Sequence, residues 1–424
     1  MEVRVAVRSG HDPLAALRQP QFVLFLAGRF ATNAASNMLQ AAVAWQVYDL
    51  THNPFSLGVL GIVRFFPQLI LSLYAGAVAD AFDRRLVIIG SQIAAILCAI
   101  ALIGAEHFES MQLTILYATV VVFAVANQFE NPARQALLPS IVAPNTFQNA
   151  ITVAQSFGAL ASVTGPAMAG AAIATVGVQG AWWGYLALEA IGLVTVIMLR
   201  PRPTVGERGK VNAESITEGL RFVFGSQVLL GCMTLDLFAV LFGGAQALLP
   251  VYASDILHVG PVGYGLLTSS LEVGALLGAG MLVLLPPFEL PGRTLLWAVA
   301  GFALATIAFG FARSLPIAIL AYGAVGLFDQ IGNVMRTTTE NMATPDALRG
   351  RMNSVSSLFS GTSNQLGAAE SGFVAAATSA TFAVVSGGIG CLIALAIVGA
   401  LMPKLRSYRI ADIDASLEAE PTTA

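Results

Sequence analysis

The chain has 424 residues, of which 56% are hydrophobic and 11% charged, with a mean hydropathy of +0.75. A water-soluble domain carries roughly a quarter charged residues, so this composition excludes a string of soluble domains and predicts an integral membrane protein. The net charge of -3 gives no basic surface for nucleic acid, and Cys98, Cys232 and Cys391 lie in apolar runs without metal-site or disulfide spacing.

In chain order, residues 1–20 form a cytosolic arm without the apolar stretch of a signal peptide. Its Asp12-Pro13 pair predicts the cap and first residue of a short surface helix. A spanning helix needs about 20 apolar residues. Twelve such runs follow, at 21–48, 55–79, 86–105, 111–134, 147–175, 180–199, 228–252, 263–285, 294–312, 315–342, 351–377 and 380–402. The expected fold is all-α and membrane-embedded: twelve transmembrane helices in two six-helix pseudo-symmetric halves, 21–199 and 228–402. A cytosolic central loop, 200–227, joins the halves, and the tail 403–424 is cytosolic, acidic after Arg409 and expected to be disordered.

Basic residues set the orientation. With both termini inside, of 21 Lys and Arg only Arg313 falls outside and only Arg29 and Arg64 fall within spans, leaving 18 on the cytosolic side, Arg134 and Arg336 among them.

The halves repeat at an offset of 202 to 208 residues. Gln128, Asn131 and Arg134 recur as Gln330, Asn333 and Arg336, and Pro144 is matched near Pro345. Val47-Tyr48 with His52, Pro54 and Gly58 recurs as Val251-Tyr252 with His258, Pro261 and Gly265. Duplicated six-span halves are a transporter architecture, with the substrate site between them near mid-membrane.

The stretch Gly76-Ala77-Val78-Ala79-Asp80-Ala81-Phe82-Asp83-Arg84-Arg85 resembles the cytosolic loop motif G-x-x-x-D-R-x-G-R-R of the major facilitator superfamily, matching at Gly76, Asp80, Arg84 and Arg85. It departs at Ala81, and the acidic Asp83 is similar to the superfamily's siderophore-exporter and drug-efflux branch. Gly165-Pro166-Ala167-Met168-Ala169-Gly170 resembles the span 5 motif of its antiporters, with Ala161 where a leading Gly would stand. Thr344-Pro345-Asp346-Ala347-Leu348-Arg349-Gly350-Arg351 resembles the exporter branch's loop between spans 10 and 11. The resemblance implies that Asp80, near the end of span 2, meets the start of span 11 when the cytosolic side closes, with Arg84 and Arg85 holding the closure. In span 5, Gly165 and Gly170 permit close helix contact and Pro166 bends the helix.

Charges inside a bilayer are costly and mark function. Arg29, Arg64, Asp236, Glu272 and Asp329 are the gating or proton-coupling candidates; Glu370 ranks below them and Glu189 reads as facing another helix. At the repeat offset Arg29 matches Asp236 and Arg64 matches Glu272, each pair opposite in charge. The expectation is an Arg29–Asp236 clamp across the cleft, released by protonation of Asp236 or Glu272. Asp329, matched by Asn127, is the third coupling candidate because spans 1, 4, 7 and 10 line the cavity in the superfamily.

Asn33, Asn37, Gln40, Gln46, Asn127, Gln128, Gln246 and Asn333, with Trp45, are the substrate-contact candidates, suited to a bulky, moderately polar ligand. His52, His107 and His258 fall in outside loops and His11 in the arm, so no histidine relay is expected. The absence of a phosphate-binding glycine loop argues against ATP-driven transport, and no cofactor, metal or enzyme motif is read. The expected function is proton-coupled export of a small molecule, a siderophore or amphipathic drug, by a monomer in the bacterial inner membrane. Uptake or lysolipid flipping is the alternative; a non-transporting sensor or assembly partner is remote.

Overall fold

A computed structural model of the chain describes residues 15–105, 107–200, 221–286, 288, 290–345 and 348–408. The Asp12-Pro13 helix start, most of the central loop, Asp346-Ala347 and the acidic tail lie outside them. The first half contains α1 (Pro20–Thr51), α2 (Pro54–Ala81), α3 (Arg84–Ala105), α4 (Gln112–Ile141), α5 (Phe147–Val176) and α6 (Val178–Met198). The second contains α7 (Gln227–Ile256), α8 (Gly260–Leu284), α9 (Pro291–Gly310), α10 (Leu315–Met342), α11 (Arg349–Ala377) and α12 (Ala380–Leu401).

These twelve helices carry out the expected architecture with two local differences. The α4 helix runs past its expected end at 134 to Ile141 through Pro132 and Pro139, so Arg134, counted with the cytosolic cations, lies well within the helix and is buried. Arg336, counted the same way, lies inside α10, whose bounds are as expected. The second difference is in α7, which is α-helical to Phe242, continues as a 3-10 turn over Gly244–Leu248 and ends in a π turn over Tyr252–Ile256. Gly243 and Gly244 are poor helix formers. Gly244 also lies directly against the Gly367 carbonyl and Ser371 of α11, where a side chain would collide.

Ten helices among the described residues are long and apolar enough, by length and composition, to cross a membrane; α1 and α11 are not among the ten. Both are polar because of where they pack: α1 carries Arg29, Asn33, Asn37 and Gln40, and α11 carries Asn364, Gln365 and Glu370. A helix facing the interior of a bundle has no need of an all-apolar circumference.

The packing repeats as the sequence does. In the first half α1 packs on α5 and α6, α3 on α4 and α6, and α2 on α4. In the second, α7 packs on α11 and α12, α9 on α10 and α12, and α8 on α10. The halves meet through α5 against α8 and α2 against α11, again an equivalent pair. His52 and His258, at the ends of α1 and α7, both take left-handed backbone conformations, φ 47° and 52°. Non-glycine residues rarely adopt such angles, so their recurrence at one place in each half supports the duplication.

The halves are tightly joined at the end of the bundle away from the termini, the far side. A Cβ on Gly170 of α5 would come within 2.6 Å of the Pro261 carbonyl and 2.9 Å of the Gly265 Cα of α8. The equivalent contact, Gly372 of α11 against Gly58 of α2, is as close. Without side chains, the paired backbones approach to van der Waals contact. Above them Tyr48 donates a hydrogen bond to Asp255, and the Tyr264 hydroxyl donates to the Ala41 carbonyl at 3.0 Å. Trp45 packs on Tyr264 with ring centroids 5.4 Å apart. Nearer the middle, Ser269 donates to the Val163 carbonyl at 2.8 Å.

Candidate functional site

Beneath this seal a cavity of about 250 Å³ separates the halves. The first half contributes Asn37 and Gln40 from α1 and Arg64 from α2; the second contributes Gln246 from the break in α7, Glu272 from α8 and Asp329 from α10. The 3-10 turn is what presents Gln246: it lies on the exposed side of the turn while Ala245 and Leu248 are buried. Tyr264, Tyr322 and Phe302 supply an aromatic wall, and Asn364 and Gln365 of α11 add amides.

Three of the five charged candidates therefore share one space. Among the described residues, Arg64, Glu272 and Asp329 make no hydrogen bond or ion pair. Asp329 is exposed, as is Asn333 one turn closer to the termini side.

The other two charged candidates lie elsewhere. Asp236 of α7 pairs with Arg336 of α10, Oδ1 to Nε 3.3 Å, and accepts a hydrogen bond from Ser360 of α11 at 2.6 Å. Arg336 also reaches Glu340 at 3.8 Å, donates to Ser356 and Ser360 at 3.1 Å each, and donates to Asn333 at 2.9 Å. The expected Arg29–Asp236 clamp is thus not formed in this conformation: Asp236 is held inside its own half. In the first half Arg29 lies within electrostatic reach of Arg134, which is paired with Glu130 one turn away on α4. The same depth of each half therefore holds a charge cluster, built on Arg134 in one and Arg336 in the other.

The Asp236–Arg336 pair has side chains only 17% and 11% exposed, so removing Asp236 leaves the buried Arg336 charge with a single carboxylate, Glu340 at 3.8 Å, and neutral partners. Asp236→Ala should lower folding stability by about 3 kcal/mol, and Arg336→Gln added to it should restore part of the loss. Thermal unfolding followed with a thiol-reactive dye checks this, because Cys98, Cys232 and Cys391 are free and buried. Equal stability of wild type and Asp236→Ala would show that the pair holds nothing together.

The loop between α2 and α3 places Arg84 and Arg85 at the start of α3. Arg84 donates to the Ala136 carbonyl of α4 at 2.8 Å, and Arg85 donates to the Val196 carbonyl at 3.1 Å and to the Ile197 carbonyl. Asp83 accepts the Arg85 backbone N–H at 2.9 Å. Both guanidiniums here meet carbonyls toward the C-terminal ends of helices of their own half, where the helix dipole favours a cation. Gly76 and Asp80 lie in the last turns of α2, with side chains outside those described.

In α5, Gly165 packs on α1, where a Cβ would meet the Ala34 carbonyl and Asn37 Cβ at 2.7 Å; Pro166 lines the cavity and Gly170 forms the far-side contact. The remaining amide candidates do not line the cavity. The Asn33 carbonyl accepts from Asn37 at 2.8 Å, Asn127 accepts from Asn131 at 2.6 Å, Asn333 serves Arg336, Gln46 is buried and Gln128 is half-buried. Trp45 acts behind Tyr264. Glu189 is 2% exposed within the first half, and Glu370 accepts from Ser371 at 3.2 Å.

Sequence reasoning missed Glu130 and Glu340, though each stands four residues from its arginine, the spacing of a helical ion pair. It also missed Tyr264 and Tyr322, which carry no sequence signal distinguishing cavity wall from core.

The family model described as transmembrane secretion effector matches residues 11–423. Two enterobactin exporters EntS, from Citrobacter koseri and from Escherichia coli O1:K1, are each 24% identical over 397 residues, 92% of this chain and 94% of theirs. A bacterial homologue of the iron transporter ferroportin in an inward-facing state superposes with a TM-score of 0.70 at 15% identity, covering 93% of this chain and 100% of that one. A bacterial homologue of the lysosomal transporter Spinster, also inward-facing, gives 0.66 at 15%, covering 92% and 99%. With its duplicated twelve-helix bundle, its interface cavity and a match spanning nearly its whole length, the chain belongs to the transmembrane secretion effector family of the major facilitator superfamily, multi-pass membrane transporters rather than enzymes.

Proposed function

We propose that the protein exports a small organic molecule, a siderophore or an amphipathic drug, from the cytosol across the inner membrane, driven by proton entry. The observation that carries this reading is the cavity between the halves, lined by Arg64, Glu272 and Asp329 and sealed at the far side. Placing both termini in the cytosol, as the basic residues favour, makes the far side external and this conformation the one that loads substrate from inside. The two halves, 21–199 and 228–402, then rock about the cavity while 200–227 tethers them, and the 76–85 loop closes the cytosolic side. The enterobactin exporters among the relatives favour outward transport of a siderophore-sized molecule.

Asp329 is the coupling residue in this reading. It faces the cavity yet lies within electrostatic reach of Asp236 and Arg336 as well as Glu272, so its charge is felt by the cluster that ties α7, α10 and α11 together. A carboxyl that meets water in one conformation and loses it in another changes its proton affinity between them, which is the requirement for coupling.

A deletion strain and an overexpressing strain test the function. Overexpression should lower the internal level of at least one secreted metabolite or toxic amphiphile, and a protonophore should cancel the difference. Raised internal accumulation on overexpression would overturn export.

A further inference from the structure

Arg64 and Glu272 stand 208 residues apart, at equivalent positions of the two halves, and both line the cavity. Neither has a hydrogen-bond or ion-pair partner among the described residues, so opposite charges face one space without neutralising each other. Between them runs the aromatic wall. Tyr264 lies within electrostatic reach of Arg64, and Tyr322 within reach of both Tyr264 and Glu272. An unpaired guanidinium or carboxylate inside a membrane protein is costly. A ligand that brings the opposite charge to each end lowers both costs together.

We propose that the cavity recognises a zwitterionic amphiphile with an aromatic body: its anionic group meets Arg64, its cationic group meets Glu272, and its rings lie along Tyr264 and Tyr322. A planar guanidinium suits a carboxylate or similar oxyanion, and a carboxylate suits an ammonium. An anionic ligand without a cationic end leaves Glu272 unpaired beside like charge and is rejected. The proposal rests on reading the cavity as the substrate site, and it holds whichever way substrate moves and whatever ion drives it.

Binding to the purified full-length protein in lipid nanodiscs, with no gradient, tests it. The probes are two scaffolds, ciprofloxacin and 2-naphthylalanine, each as the zwitterion, the cationic ethyl ester, the anionic N-acetyl derivative and the neutral N-acetyl ester. In at least one scaffold the zwitterion should bind about a hundredfold more tightly than the neutral form, about tenfold for each of its two charge-assisted hydrogen-bonded pairs. Arg64→Gln should bring the zwitterion down to the affinity of its cationic ester, and Glu272→Gln to that of its anionic form. Arg64→Lys and Glu272→Asp keep the charges and should keep the preference, separating recognition from damage to the fold. The assignment is overturned if no zwitterion binds better than its neutral form, or if the preference survives Arg64→Gln. Because no transport is measured, failed export in cells leaves this result unaffected, and failed binding here leaves export open to another substrate class.

Discussion

Asp329→Asn is expected to abolish gradient-driven accumulation in proteoliposomes while leaving passive exchange of the same substrate intact. One proton moving down a gradient of about one pH unit supplies about 1.4 kcal/mol, enough for about tenfold accumulation of a neutral exchange partner. Asparagine keeps the size and polarity of the side chain and removes only the ability to carry a proton. Accumulation should therefore fall from about tenfold to equilibration, with the rate of exchange between labelled and unlabelled substrate preserved. Glu370→Gln serves as the comparison, since Glu370 does not line the cavity and has a local partner in Ser371. Full accumulation in Asp329→Asn would remove Asp329 from the coupling mechanism.

Gly265→Val should impair transport by preventing the far side from closing. The contact has no slack: Gly265 faces the Pro166 carbonyl, and a Cβ placed on it would approach that oxygen to 2.9 Å and the Gly170 Cα to 3.1 Å. Both atoms belong to backbone and cannot rotate away. Overpacking of this kind costs about 1–3 kcal/mol, charged here to the far-side-closed state alone. That shifts the balance between conformations by about fivefold to 150-fold toward the far-side-open form. Spin labels on Asp49→Cys and His258→Cys, exposed at the far ends of α1 and α7, report the shift as a longer interhelical distance. Gly58→Val, at the equivalent contact in the other half, should reproduce it. An unchanged distance distribution in both would mean that the glycine contacts do not limit closure.

Much of this was legible in the residues because membrane physics makes few demands and states them loudly. The long apolar runs marked the helices, and the recurrence of Arg134 as Arg336 and Gly58 as Gly265 marked the duplication. The equivalent glycine pair, Gly170 and Gly372, obeys the same offset and could have been found by extending the comparison. Of the charged candidates, Arg64, Glu272 and Asp329 were drawn into one cavity. Asp236 was not, because which neighbour an in-span carboxylate meets depends on helix rotation, and rotation turned it toward Arg336 and Ser360. The end of the fourth helix was misjudged because apolar length alone sets no stop: α4 runs on past 134 to Ile141, absorbing Pro139 as well as Pro132, which carried Arg134 from the expected helix end into the interior. The break in α7 could be suspected from Gly243-Gly244, but its purpose, presenting Gln246 to the cavity, depends on α11 pressing against it.

The central claim is that one cavity is reached alternately from the two sides of the membrane. The direct measurement is the labelling of Gln246→Cys by a membrane-impermeant maleimide in right-side-out and inside-out vesicles. In the otherwise wild-type chain the cysteine should react readily from the cytosolic side and about tenfold more slowly from outside, and adding Gly265→Val should raise external labelling at least about fivefold relative to cytosolic labelling. Labelling from one side only, unchanged by Gly265→Val, would contradict alternating access through this cavity.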